Sequence, residues 1–144
     1  MTLKLTVDGV DFIVVDASSP NNLYIGYNTG TSSASAIDNL CIGNNSGNSL
    51  TSGDRNVFIG KNAGASVTTG TENTGVGYGA CDNLTTGQGN TFVGRYSGYS
   101  NVSGNDNTMT GQGAGYSNTG SSNAFLGRNA GYGNTGSRNT YVGD

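Results

Sequence analysis

The feature that most constrains this chain is a short internal repeat. An Asn opens the cassette N-x-x-[aliphatic]-G-x-x-[small]-G at Asn22, Asn39, Asn56, Asn73, Asn90, Asn107, Asn123 and Asn139, with spacings of 17, 17, 17, 17, 17, 16 and 16 residues. Copies read N-L-Y-I-G-Y-N-T-G, N-V-F-I-G-K-N-A-G, N-T-F-V-G-R-Y-S-G and N-A-F-L-G-R-N-A-G, and the last, N-T-Y-V-G-D, stops partway. Such a period is too short for a helix-pair repeat, and the Gly, Asn and Thr content opposes helix. The expected fold is therefore all-β: a parallel β-solenoid, or β-roll, of about eight rungs of 16–17 residues spanning residues 21–144.

Each cassette begins with a short run of strand-forming residues and breaks at a Gly: Gly26, Gly43, Gly60, Gly77, Gly94, Gly111, Gly127 and Gly143. A glycine there allows a corner with positive φ. A further Gly follows four residues later in every complete copy except one, which has Cys81. Tripeptides ending at Gly53, Gly70, Gly87, Gly104, Gly120 and Gly136 mark a third corner. The one-residue deletions fall between the second and third corners, where an outer loop tolerates them.

Stacking the cassettes at the strand spacing gives a rod roughly 35 Å long in which like residues form columns. The opening asparagines are expected to form a side-chain amide ladder, each bonded to the copies above and below. Two adjacent apolar columns follow. One contains Phe58, Phe92 and Phe125 with Tyr24, Cys41, Gly75, Met109 and Tyr141; the other contains Ile59, Val93 and Leu126 with Ile25, Ile42, Val76, Thr110 and Val142. Successive strand residues face opposite ways, so one column fills the rung and the other faces something that covers it. Ordering a rung costs more backbone entropy than its few sizeable side chains return, and a long apolar stripe is an association site. A homo-oligomer with one of these columns on its axis is the expectation.

Composition narrows the chemistry. Gly, Asn, Thr and Ser make up 79 of the 144 residues, a bias that without a repeat would signal disorder. The chain has no His, which excludes Ser-His and Cys-His catalysis and His-ligated metal sites. With six cationic residues and a net charge of −3 there is no basic patch, so neither nucleic acid nor an anionic membrane is expected as a partner. Cys41 and Cys81 lack metal-type spacing and read as buried thiols. Neither a signal peptide nor a membrane-spanning segment is expected, and no catalytic, cofactor or metal residue is assigned.

Several local patterns point elsewhere and are weaker. Gly131-x-Gly133-x-x-Gly136 matches a dinucleotide-binding string without the required strand and helix. Asp38, Asp54, Asp82 and Asp106 fall at differing cassette positions, against a repeated calcium site. The sequons at Asn44, Asn83 and Asn101 follow from composition. Thr74, Thr91, Thr108 and Thr140 form a column that Ala124 interrupts, which argues against an ice-binding array. Tyr99, Tyr116 and Tyr132 align in the later rungs, either to stack on sugar rings or to pack over neighbouring loops or subunits.

The N-x-x-[IV]-G-x-x-[SA]-G cassettes resemble those in the heads of trimeric autotransporter adhesins and in repeat sections of phage tail fibres. That resemblance covers residues 21–144 and implies a parallel β-roll wound as a homotrimer, although the 16–17-residue period exceeds the adhesin turn. It further implies a non-enzymatic fibre protein of a virion, the N-terminal shaft of a tail fibre, with a host-surface receptor engaged by a distal part. A bacterial cell-surface adhesin head that binds a host glycan or matrix protein is the alternative. Residues 1–20 read as a hairpin around Asp8-Gly9, closed off by Pro20, that caps the solenoid or docks it to tail or baseplate proteins. The last cassette is incomplete at Asp144, so a longer natural chain is expected.

Overall fold

The computed structural model describes residues 2–7, 10–16, 21–30 and 35–144, with side chains from residue 21 onward. It is all-β, with no helix among the described residues. Ten strands form one sheet in sequence order. β1 (Thr2–Val7) pairs antiparallel with β2 (Val10–Asp16), and β2 pairs antiparallel with β3 (Asn22–Ile25). The link between β1 and β2 at residues 8 and 9, expected as a hairpin turn, and the segment 17–20 with Pro20 lie outside the described residues.

From β3 onward every pairing is parallel. The strands β4 (Leu40–Ile42), β5 (Val57–Ile59), β6 (Thr74–Val76), β7 (Thr91–Val93), β8 (Thr108–Thr110), β9 (Ala124–Leu126) and β10 (Thr140–Val142) each lie one cassette after the last. Together with β3 they are the eight parallel strands of a β-solenoid of about seven turns. Pairing never slips: Tyr24 sits beside Cys41, Cys41 beside Phe58, and the register continues to Phe125 beside Tyr141. The slanted bonds of a parallel ladder run both ways, as where Leu40 N–H donates to Asn56 C=O at 2.9 Å and Gly43 N–H to Ile25 C=O at 2.7 Å.

Glycine at the first corner is a steric demand. Gly60 has φ +135°, and a Cβ there would lie 2.5 Å from the Gly77 carbonyl oxygen of the next turn. The equivalent corner glycines from Gly26 to Gly143 have φ between 124° and 139°. Backbones therefore stack there without side chains between them. The core is a narrow column. Tyr24, Cys41, Phe58, Phe92, Met109 and Phe125 fill it from the strands, small residues such as Ala63, Ala80 and Ala114 from the first turn, and Leu50, Val67 and Leu84 from the second.

Candidate functional site

The cassette-opening asparagines are buried from Asn22 to Asn123 and half-buried at Asn139, and their amides form a continuous ladder. Asn39 Nδ2 donates to Asn22 Oδ1 at 3.2 Å, Asn56 to Asn39 at 3.0 Å, Asn73 to Asn56 at 3.2 Å and Asn90 to Asn73 at 2.9 Å. Asn107 to Asn90, Asn123 to Asn107 and Asn139 to Asn123 continue it at 3.0, 3.1 and 3.2 Å. Each Oδ1 also accepts the backbone N–H of the next ladder Asn, as between Asn56 N and Asn39 Oδ1 at 2.9 Å. The second Nδ2 hydrogen crosses the same turn to its third corner, from Asn56 to Gly70 C=O at 2.9 Å and from Asn90 to Gly104 C=O at 2.8 Å. An interior amide thus uses two donors and two acceptor sites, the full capacity of the group. No other side chain of this size offers both, so the column joins neighbouring turns while stapling each turn shut.

The two apolar columns separate by the alternation of the strand. Phe58 and Phe92 are fully buried and Phe125 nearly so, all pointing into the turn. Ile59, Val93 and Leu126 point out of it, with Val93 36% and Leu126 54% exposed. On this outer face they are flanked by the residue two positions earlier: Leu23 with Ile25, Leu40 with Ile42 and Val57 with Ile59 on the early strands, then Thr91 with Val93 and Thr108 with Thr110 further along. The face is aliphatic at one end and threonine-rich toward the other.

One turn exchanges two roles. The second-corner glycine normally lies under a strand ring: a Cβ on Gly64 would be 2.7 Å from Phe58. In the turn opened by Asn73 the strand position is Gly75 and the corner is Cys81, which keeps the left-handed conformation at φ +46°. Cys81 Sγ occupies the space that a ring would fill, since a Cβ on Gly75 would lie 2.5 Å from it. Cys41 and Cys81 are both free and buried. Burial pushes the Cys41 thiol up to about 12, despite a hydrogen bond from Ser46 that favours the thiolate, and burial raises Cys81 as well. Neither is a nucleophile at neutral pH.

The aligned tyrosines lie outside, past the first corner. Tyr99 and Tyr116 stack with ring centroids 5.0 Å apart, and Tyr116 and Tyr132 stack at 4.9 Å with planes 5° apart. Two rings that the column at this cassette position does not include complete the patch. Tyr96 meets Tyr99 edge-on at 5.2 Å, and Tyr78 meets Tyr96 edge-on at 5.2 Å. The Arg95 guanidinium lies 4.8 Å from the Tyr96 ring centre. Tyr78 and Tyr96 occupy different cassette positions, so column reading misses them; comparing neighbouring positions across adjacent turns would find them.

A second amide column is equally hidden. The interior position that holds Leu50, Val67 and Leu84 holds Asn101, Asn118 and Asn134 in the following turns. Asn118 Oδ1 accepts from Asn123 Nδ2 at 3.1 Å and from Asn134 Nδ2 at 2.8 Å, while its own Nδ2 donates to Gly120 C=O at 3.0 Å. Asn101 belongs to this buried column, so its sequon is structural. Gly131, Gly133 and Gly136 lie in turns with no helix after them. Among the described residues no three His, Cys, Asp or Glu side chains converge on a metal-sized site.

Fold and surfaces together define the class: a laddered parallel β-solenoid with an outward-facing apolar column on its sheet and a separate aromatic strip. Compared with protein-family models, with curated proteins and with solved structures, the chain matches none of them.

Proposed function

We propose that this chain is a structural, non-enzymatic fibre protein: a shaft in which three copies wind in parallel, each turning its outer sheet face to the common axis. The observation that carries the reading is that face. Leu23, Ile25, Leu40, Ile42, Val57, Ile59 and Val76 run along the rod in unbroken register, half-buried on the outward side of the strands. An apolar stripe of this length on a straight rod is an association surface. Parallel copies keep equivalent turns level, so each meets the same residues of its neighbours. The resemblance of the cassettes to tail-fibre repeats favours three copies and a virion location.

In this role the mechanism is geometric. Backbone and amide ladders carry load along the axis, and the shaft holds a distal receptor-binding part away from the particle. The segment of β1 and β2, whose β2 joins the first turn through β3, is the piece we assign to capping and to attachment to tail or baseplate proteins. Light scattering coupled to size-exclusion chromatography tests the assembly. A mass near three times the 14.5 kDa protomer that survives dilution is expected. A folded monomer at micromolar concentration overturns the reading.

A further inference from the structure

Position nine after the ladder Asn holds Asn48, Ala65, Asp82, Tyr99, Tyr116 and Tyr132 in successive turns. The backbone around it does not change: Ser49 N–H donates to Ala65 C=O at 3.1 Å, Ser66 N–H to Asp82 C=O at 3.0 Å and Ser100 N–H to Tyr116 C=O at 2.8 Å. The fold therefore accepts a small or polar residue here, and three tyrosines in a row are not a requirement of the turn. Tyr78 and Tyr96 extend the strip across neighbouring positions, so five of the chain's eight tyrosines meet on one side of the rod.

The strip's chemistry selects its ligand. Every ring of the strip carries a hydroxyl. Because Tyr99, Tyr116 and Tyr132 stack face to face at close to the strand spacing, their ring edges and not their faces are left to meet a ligand. The rings hold one another in place, so little side-chain freedom is lost on binding. Arg95 lies over Tyr96 and makes no ion pair with a described carboxylate. A guanidinium free in this way is a carboxylate receptor. The surface is a strip along a convex rod, which suits an extended polymer. Single-stranded nucleic acid is disfavoured because its bases stack on free ring faces, and the faces of Tyr99, Tyr116 and Tyr132 are taken up by one another.

We propose that the tyrosine strip binds a linear, carboxylate-bearing polysaccharide that lies along the rod, with Tyr99, Tyr116 and Tyr132 as its track and Arg95 contacting an acid group. The strip lies past the first corner while the sheet face lies on the strands, so this site does not depend on the trimer. The chain has no Trp, and five of the eight tyrosines that give its emission lie in the strip. Titration of the full chain with oligogalacturonate and with its methyl ester, which has the same sugar backbone without the charge, tests the site. Saturable quenching by the acid is expected, weakened about tenfold or more for the ester and in Tyr116→Ala, with the acid preference lost in Arg95→Gln. Tyr132→Ala, at a half-exposed ring, is the second variant should Tyr116→Ala melt early. No saturable response to either sugar, undiminished binding in a folded tyrosine variant, or tighter binding of single-stranded DNA overturns the proposal.

Discussion

In the turns opened by Asn39, Asn56 and Asn73, the interior is closed by Leu50, Val67 and Leu84; in those opened by Asn90, Asn107 and Asn123, the same position holds Asn101, Asn118 and Asn134. The outer sheet face changes along the same direction, from Leu40 and Ile42 or Val57 and Ile59 to Thr91 and Val93 or Thr108 and Thr110. The backbone pairing is the same in both halves. One interior is thus held by apolar burial and the other by amides that find partners in their own and neighbouring turns. A buried polar group is tolerated when each of its bonds is made, and Asn118 meets that condition. The outward side chains of the early half are aliphatic and half-buried, and those of the late half are threonines beside the more exposed Val93 and Leu126.

The largest effects separate inside from outside within the early half. Phe58→Asp places a carboxylate at a fully buried position and is expected to cost at least about 5 kcal/mol, enough to unfold the chain. Ile59→Asp, one residue on and facing out, is expected to leave the circular dichroism of the fold intact while the mass falls toward that of one protomer. Thr108→Asp, on the threonine-rich part of the same face, is expected to stay assembled. Should Ile59→Asp keep the mass of the unsubstituted chain, the proposal that the sheet face forms the axis fails. A folded Phe58→Asp would instead show that the column is less closed than its burial indicates.

The late half is tested by removing one amide. Asn118→Leu keeps the branched shape of the side chain but takes away the acceptor of Asn123 and Asn134 and the donor to Gly120. Leaving such groups unmet indoors is expected to cost about 2–3 kcal/mol in a urea melt. Leu84→Ala, the counterpart in the early half, is expected to cost a similar amount through a cavity instead. A loss under about 1 kcal/mol for Asn118→Leu would mean that the late turns rely on their backbone ladders and not on the second amide column.

How much of this could be read in advance depends on whether a residue's role is periodic. The eight parallel strands and their all-β solenoid follow from the Asn spacing, because a constant period allows one stacked register. The choice between the Phe and Ile columns does not: both are apolar, and a one-residue flip of the strand exchanges them. Left-handed residues just before the ladder Asn were also hidden. Arg55, Glu72, Ser122 and Arg138 all have φ between 55° and 62° without a glycine to announce it. The exchange of Gly75 with Cys81 looks like two defects in the cassette and is one compensated feature in three dimensions. Roles that alternate between chemistries, as in the Leu50-to-Asn134 column, vanish from a pattern that searches for sameness.

The smallest predicted effect lies at the boundary between the halves. Asp82 stands directly before the tyrosines in their column and is half-buried, and burial raises its carboxyl above the ordinary aspartate value. A raised native-state pKa means that the folded chain binds a proton more readily than the unfolded one. Stability therefore falls as pH rises from the unfolded value through the folded one, and the penalty persists at neutral pH. Asp82→Asn removes the charge, and Asn48 shows that the backbone accepts an amide at this position two turns earlier. The variant is expected to be more stable at pH 7 by less than about 1 kcal/mol, because water screens a half-exposed group. That advantage is expected to disappear near pH 3, where the carboxyl is protonated in both states. An equal gain at both pH values would assign the effect to packing instead of to charge.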